Sequence, residues 1–291
     1  MRAELVAVIT SVIDGVPMVL TAGDGARLPS GPLQSDHQTM QSGMRAWVER
    51  QTGHELGYVE QLYTFADPGR ETGDIRVLSV SYLGLTRGNA GEAGWRPWYD
   101  YFGWEDRRGG VPTTTPWLAA LQRWSLEGGQ PGGERALRAA VTFGLDQRPW
   151  RSDLVLNRYE LLYEAGLLPE SPGSTSLFAP APGRAMEQDH RRILATGLAR
   201  LRAKIQYRPV VFELMPPEFT LGQLQSVVES LAGTPLHKQN FRRLMLQQDL
   251  VEETGSTVSA TGGRPAKSYR FRRDILDVRS VAGTKLPITR P

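Results

Sequence analysis

The chain has 291 residues, of which 40% are hydrophobic and 22% charged, and its formal net charge is +3. This length predicts two domains, and the apolar content is sufficient for buried cores. No apolar run approaches the roughly 18 residues that a membrane span requires, and Glu4 and Asp14 interrupt the N-terminal apolar stretch, so we expect neither a membrane helix nor a signal peptide. The absence of cysteine excludes disulfides, thiolate metal sites and a cysteine nucleophile, and it is typical of a cytoplasmic protein.

The first hundred residues show the patterns of a mixed sheet with a helix on it. Two short apolar runs flank Asp14-Gly15 and predict a β-hairpin. The further elements that we expect in this part are a helix over Gln38–Gln51 and strands over Gly57–Phe65 and Ile75–Leu85. This set of strands with a single helix among them is typical of an α+β domain.

Residues 88–165 form an extension that is rich in tryptophan. Five tryptophans lie within thirty residues: Trp95, Trp98, Trp104, Trp117 and Trp124. Such aromatic density is more often core or an oligomer contact than a ligand cage, so we expect a buried role. Helices are predicted over 133–143 and 152–165, the second capped by Ser152 and ended by Gly166.

The two halves of the chain differ in charge. Residues 1–189 hold 17 basic and 23 acidic residues, a net of −6, whereas residues 190–291 hold 17 basic and 8 acidic residues, a net of +9. Residues 168–184 have the composition of a surface connection, and an amphipathic helix over 188–205 bridges the halves. We therefore predict a domain over 1–185 and a second over 186–291, with nucleic acid as the partner of the basic half; the alternative is an accident of surface composition.

The C-terminal half has the caps and turns of a winged helix-turn-helix. Thr220 and Gln223 form a predicted capping box, and Gly233 ends that helix. Thr234 is expected to cap the next helix, with Pro235 in its first turn. The sequence TGGRPAKSYRF at 261–271 is typical of a wing, in which a turn leads into an aromatic and basic strand. Such a domain holds duplex DNA and usually acts as a two-fold dimer on an operator.

The predicted DNA contacts follow from this arrangement. Phe241, Leu244 and Met245 share one helix face and should be buried, which leaves the polar residues outside. Basic and amide side chains donate to base edges and phosphates. The residues that we expect to bind DNA are His237, Lys238, Asn240, Arg242, Arg243, Arg264, Lys267 and Arg270. The alternative is a helical domain whose basic face is merely solvated.

The segment LPSGPLQSDHQTMQSGMRAWVERQTGHELGYVEQLYTF resembles a Nudix domain. The family's box, GX5EX7REUXEEXGU, places glutamates on one helix face to hold magnesium against a diphosphate. Gly31 and Arg45 match the front of the box, but its first acidic position falls on His37. Counted back from Gly53, the paired glutamate positions fall on Arg50 and Gln51, so the two halves are out of register by one residue.

These departures predict a nucleotide-binding domain that has lost its metal chemistry. Magnesium requires hard oxygen ligands, and this helix offers only Asp36 and Glu49. We therefore expect no catalytic residue, no metal site and no required cofactor. The predicted ligand-binding residues are arginines for phosphate and aromatics for an adenine ring: Arg45, Arg50, Tyr63, Phe65, Arg70, Arg76 and Tyr82. Each has an alternative as surface charge or core aromatic.

A degenerate Nudix domain followed by a winged helix resembles the NrtR-like transcriptional regulators of NAD metabolism. The resemblance is carried by RLRAKIQYRPVVFELMPPEFTLGQLQSVVESL, KQNFRRLMLQQDLVEETG and GRPAKSYRF, about a third of the chain. The tryptophan-rich extension is more similar to the NadQ-type branch. The resemblance implies a dimeric repressor of NAD biosynthesis or salvage genes, released by ADP-ribose, NAD or ATP. The alternative hypothesis is a Nudix hydrolase of nucleoside diphosphate derivatives with an accessory winged helix.

Overall fold

A twelve-residue apolar strand, β1 (Arg2–Ile13), lies at the centre of the N-terminal sheet. The computed structural model describes residues 2–66, 71–72, 75–110, 115–127, 133–172, 181–258 and 265–272. The strands of the sheet are β1, β2 (Val16–Leu20), β3 (Ser30–Pro32), β4 (Tyr58–Phe65), β5 (Glu71–Thr72), β6 (Ile75–Leu85) and β7 (Trp95–Pro97). They run in the order β4-β6-β1-β2-β7, with β3 paired to β1 and β5 to β6. Only the β1–β6 pair is parallel among the described strands, so the predicted mixed sheet is confirmed.

Helices cover both faces of this sheet. Alternate residues of β1 point to opposite sides, so Leu5 packs towards α1 (Met40–Thr52) and Val6 towards α6 (His190–Lys204). Because both faces are covered, residues 5–9 of β1 are all apolar instead of alternating with polar residues. The helix expected to bridge the two halves is thus also a layer of the N-terminal sandwich, and the boundary at residue 185 stays a prediction.

The tryptophan-rich extension builds the core between the sheet and its own helices. These are α2 (Trp98–Tyr101), α3 (Pro116–Glu127), α4 (Glu134–Phe143) and α5 (Val155–Glu164). Trp98 is fully buried, and Trp104 and Trp117 are at most 8% exposed. The expected buried role of the tryptophans is therefore confirmed for these residues.

The C-terminal half contains α7 (Leu221–Ala232), α8 (Lys238–Gln247), and an antiparallel hairpin of β8 (Val251–Val258) and β9 (Ala266–Phe271). Phe219 bridges to Tyr269 as a short third strand. Phe212 stacks on Phe271 with ring centroids 4.1 Å apart, which fastens the hairpin to the 3-10 turn before α7. This is the predicted winged helix-turn-helix.

Two helix starts and two helices differ from the sequence prediction. Thr234 does not cap α8. The capping residue is His237, and α8 begins at Lys238. The later start of α8 has a tertiary cause in two side chains of α7. Glu229 accepts the Leu236 N–H and Gln225 donates to the Leu236 carbonyl, which keeps Leu236 outside the helix. Similarly, α5 begins at Val155 with no cap from Ser152. The helices α2 and α3 were not predicted, although Thr115 followed by Pro116 has the sequence pattern of a helix start.

Candidate nucleic-acid interface and Nudix-like helix

The polar face of α8 is exposed and cationic. Phe241 and Met245 are fully buried and Leu244 is partly buried, as the helical spacing predicted. Lys238, Arg242 and Arg243 are exposed, and within the described part of the chain none of the three is paired with a carboxylate. An unpaired guanidinium or ammonium group is free to pair with a phosphate or a guanine edge. This face is therefore chemically suited to duplex DNA.

His237 precedes this helix as its cap, and Asn240 lies in its first turn. The Nδ1 atom of His237 accepts the Asn240 backbone N–H at 3.4 Å, so this histidine has a capping role beside any contact with DNA. The Asn240 side chain is exposed. Gln239 lies beside it, equally exposed, and was not among the predicted contacts. Its amide is a group that pairs with adenine, and its position in the first turn is the signal that identifies it.

The wing differs from the helix because its basic side chains already form ion pairs with carboxylates of the protein. Lys267 Nζ lies 2.8 Å from Glu253 Oε1, and Arg270 contacts Glu252 at 2.5 Å. The Glu253 partner raises the pKa of Lys267 and is itself held below its usual pKa by that hydrogen bond. These pairs are exposed, so a phosphate can compete with them, but each carboxylate repels a nearby phosphate. Arg264, also expected to bind DNA, lies outside the described residues.

Side chains of the Nudix-like helix α1 are engaged in holding its own surroundings. Gln51 donates to the Ser30 carbonyl at 2.7 Å and accepts the Ser30 N–H at 3.1 Å, which fixes β3 against the helix. Arg45 donates to the carbonyls of Leu56 and Gly57 before β4. A Cβ on Gly31 would lie 2.2 Å from the Trp47 ring, so the box glycine is required for packing. Gln51, at a position where a Nudix box carries a glutamate, thus contributes to structure.

The predicted ligand-binding residues are not brought to one surface. Phe65 is buried against α6 and Tyr82 against α1, on opposite faces of the sheet, while Tyr63 is 62% exposed. Arg50 lies over the Trp47 ring at 4.1 Å, and Arg76 donates to the Ala66 carbonyl at 2.6 Å. Arg70 lies outside the described residues. The residues of this set that present exposed polar or aromatic groups are Arg50, Tyr63 and Arg76.

Asp36 and Glu49, the two acidic residues of the box region, are exposed. Over the ranges that the structure describes, three or more histidine, aspartate or glutamate side chains do not gather where they could hold a metal ion. Over the same ranges, each helix is too short or too polar to cross a lipid bilayer.

The comparisons with known proteins agree with this architecture. Residues 211–271 match the family model of the NrtR DNA-binding winged helix domain. The chain is 45% identical over 83 residues to the ADPR responsive transcriptional repressor NtrR of Acinetobacter baylyi. That match covers 28% of this chain and 33% of the relative, so it spans about one third of the relative's length.

Solved structures match over nearly the whole chain. NrtR of Shewanella oneidensis, in complex with a 27mer DNA, has a TM-score of 0.56 at 19% identity, covering 94% of this chain and 95% of that one. A MutT/nudix family protein from Enterococcus faecalis has a TM-score of 0.51 at 16% identity, covering 93% and 86%. At these identities the likeness concerns the fold. The chain is therefore NrtR-like in architecture: a Nudix-type sandwich, followed by a winged helix domain of the NrtR DNA-binding type.

Proposed function

We propose that this chain is a DNA-binding transcriptional repressor that responds to an NAD-related nucleotide. The observation that carries the proposal is the exposed face of α8, whose cations Lys238, Arg242 and Arg243 have no carboxylate partner among the described residues. That face belongs to a winged helix of the NrtR DNA-binding type. A relative that shares 45% identity over 83 residues is named a transcriptional repressor.

Selection from a random-sequence duplex pool tests DNA recognition directly. We expect a defined recovered sequence, which would also locate the target genes, proposed to be those of NAD biosynthesis or salvage. Arg243→Ala should weaken binding to the recovered duplex and lower the slope of log affinity against log salt by about one. Arg138→Ala, which removes an arginine of α4 paired with Glu164, is the matched control and should leave binding unchanged. If no sequence is enriched, or if affinity does not depend on salt, the proposal is wrong.

The effector is proposed to be ADP-ribose, with NAD and ATP as the other candidates. The support is the name of the Acinetobacter baylyi relative, which describes it as ADPR responsive, together with the Nudix-type fold. A ligand that binds the folded protein raises its thermal midpoint. Thermal-shift measurements with each nucleotide should single out one of the three. The same nucleotide should weaken DNA binding, and DNA should weaken nucleotide binding by the same factor, because coupling between sites is reciprocal.

We infer further that the domain binds its nucleotide without hydrolysing it. This inference rests on α1, where the paired glutamate positions of the box hold Arg50 and Gln51 and where Gln51 is bonded to Ser30. Incubation of the protein with ADP-ribose and Mg²⁺ should release no AMP above the buffer rate. Magnesium-dependent release would instead support the hydrolase hypothesis.

The assembly that we propose is a two-fold homodimer acting on a pseudo-palindromic operator in the cytoplasm. A dimer places two recognition helices about one turn of DNA apart, as the usual geometry of this motif requires. Sedimentation velocity of the free protein and of its DNA complex measures the state directly. A monomer that binds one unrepeated half-site would contradict the dimer.

A further inference from the structure

The C-terminal end of α7 lies on a buried charged cluster that the two halves of the chain build together. Glu105, Arg158 and Arg202 are all 0% exposed. Arg158 binds both oxygens of Glu105, with Nε–Oε1 at 2.6 Å and an Nη2–Oε2 distance of 2.9 Å, and Arg202 contacts the same carboxylate. Glu105 belongs to the tryptophan-rich extension, Arg158 to α5 and Arg202 to α6. We call these three residues the charged cluster.

This cluster and its neighbours satisfy carbonyl groups in the last turn of α7 and at Gly233, which follows it. The Nε of Arg202 donates to the Leu231 carbonyl at 2.7 Å, and the Tyr99 hydroxyl donates to the Ser230 carbonyl at 2.6 Å. The Arg107 backbone N–H donates to the Gly233 carbonyl at 2.7 Å. Terminal carbonyls of a helix have no partner within it, and a cation is favourable at that end of the helix dipole. Here all three donors come from the N-terminal 204 residues.

The arrangement has little freedom. Burial by itself raises the pKa of Glu105, but the guanidinium groups of Arg158 and Arg202 outweigh burial and hold that pKa below its usual value. A buried carboxylate that loses one partner is strongly destabilised, so the three side chains keep a single arrangement. A Cβ on Gly233 would lie 2.2 Å from the Glu105 carbonyl oxygen, which shows how closely the turn before α8 approaches the extension.

We propose that Arg202, Tyr99 and Glu105 are positioning residues for operator recognition, which fix where α7 ends and therefore where α8 is presented. The tryptophan-rich extension has its role here, because it supplies Tyr99, Glu105 and the Arg107 N–H. A change in the sandwich that moves α6 also moves Arg202, and through its bond to α7 it shifts the recognition helix α8. The inference rests on the proposed DNA-binding function, but the contacts themselves can be tested without DNA.

Hydrogen exchange measured by mass spectrometry tests the contacts in the full-length protein. Tyr99→Phe removes a single hydroxyl, and Arg202→Met removes the link between Glu105 and α7. Both should speed exchange of the amides in 229–241, Arg202→Met by about tenfold or more and Tyr99→Phe by less, while peptides from α1 and β6 stay unchanged. Tyr163→Phe, a half-exposed tyrosine of α5 in the same extension, is the matched control for the hydroxyl. Unchanged exchange at 229–241, or equal acceleration throughout the protein, would overturn the proposal.

DNA binding then separates positioning from mere stability. At a temperature at which every variant is folded, Tyr99→Phe should weaken binding to the selected duplex more than to a scrambled duplex of equal length. ADP-ribose should change the duplex affinity of this variant by a smaller factor than in the unmodified protein, while its own affinity for the free protein stays the same. Equal loss on both duplexes with the full ADP-ribose response would contradict positioning. If the unmodified protein binds no duplex but the exchange result holds, the proposed function fails and the structural link stands.

Discussion

At the scale of single residues, Gly233 shows how a local requirement and a tertiary one meet. Its φ of +70° is in the left-handed region that glycine adopts without strain, which is a requirement of the helix end. Its close approach to Glu105 is a requirement of the domain contact. The two can be separated, because Gly53 ends α1 with a φ of +72° and has nothing within 4 Å of an added Cβ.

Comparison of Gly233→Ala with Gly53→Ala isolates the domain contact. A left-handed alanine costs about 1–2 kcal/mol by itself, so both variants should lose that much free energy of unfolding. Gly233→Ala should lose about 1–3 kcal/mol more, because the Glu105 backbone cannot move away from the added methyl without disturbing the buried cluster. Urea unfolding at neutral pH measures both losses. Equal losses would show that the contact at Gly233 relaxes freely.

The wing carboxylates give a second prediction at the same scale. Glu253 pairs with Lys267 2.8 Å away, at an exposed site near the proposed DNA face. Glu253→Gln removes a charge that repels phosphate and frees Lys267, so affinity for the selected duplex should rise a few-fold at low salt and by less at high salt. Fluorescence anisotropy at two salt concentrations measures this, with Glu127→Gln on α3 as the control. Unchanged or weaker binding would mean that the wing does not approach the phosphates.

At the scale of elements, the start of each recognition-domain helix has a different physical basis. Thr220 accepts the Gln223 N–H at 3.1 Å and Gln223 accepts the Thr220 N–H at 2.8 Å, so α7 has the capping box that its sequence predicts. The start of α8 is instead set by α7, whose Gln225 and Glu229 bind both backbone groups of Leu236. A local pattern therefore predicted the start of α7 correctly, but it placed the start of α8 three residues too early.

Thr220→Ala and Thr234→Ala distinguish a real cap from an expected one. Loss of a threonine cap costs about 1 kcal/mol, so Thr220→Ala should lower the free energy of unfolding by that amount. Thr234→Ala should be close to neutral, because Thr234 does not cap α8. The measurement is urea unfolding of both variants at neutral pH. A loss of 1 kcal/mol or so at Thr234 would show that α8 begins earlier in solution.

At the scale of the whole molecule, the charged cluster links stability to pH. The pKa of Glu105 is below its ordinary value of 4.5 in the folded protein, so the unfolded chain takes up the proton first as pH falls. Its contribution is therefore fully present above pH 4.5 and is lost as pH falls through the lower folded pKa. Urea unfolding of the unmodified protein and of Glu105→Gln should differ most at neutral pH, and the difference should shrink below pH 4.5. A difference that grows as pH falls would contradict this sign.

Much of the architecture followed from patterns that are local along the chain. The apolar runs on either side of Asp14-Gly15, the spacing of Phe241 and Met245, the capping box at Thr220 and the glycine at 233 depend on residues only a few positions apart. The composition of the two halves likewise identified the basic face of α8. The predicted stacking residues Phe65 and Tyr82 show the limit, because an aromatic residue in a strand has the same local pattern whether it lines a site or the core.

The sequence by itself determined the order of the two domains, most of their helices and strands, and the cationic surface of the recognition helix, because each depends on neighbouring residues or on summed charge. Only the tertiary structure decided that α6 covers the sheet, that the basic side chains of the wing form ion pairs, and that Glu105 meets Arg158 and Arg202. Arg158 and Arg202 lie 53 and 97 residues from Glu105 along the chain, and no periodicity of the sequence joins them to it. Their meeting depends on how the extension, the sandwich and α7 pack together, which only the folded chain establishes.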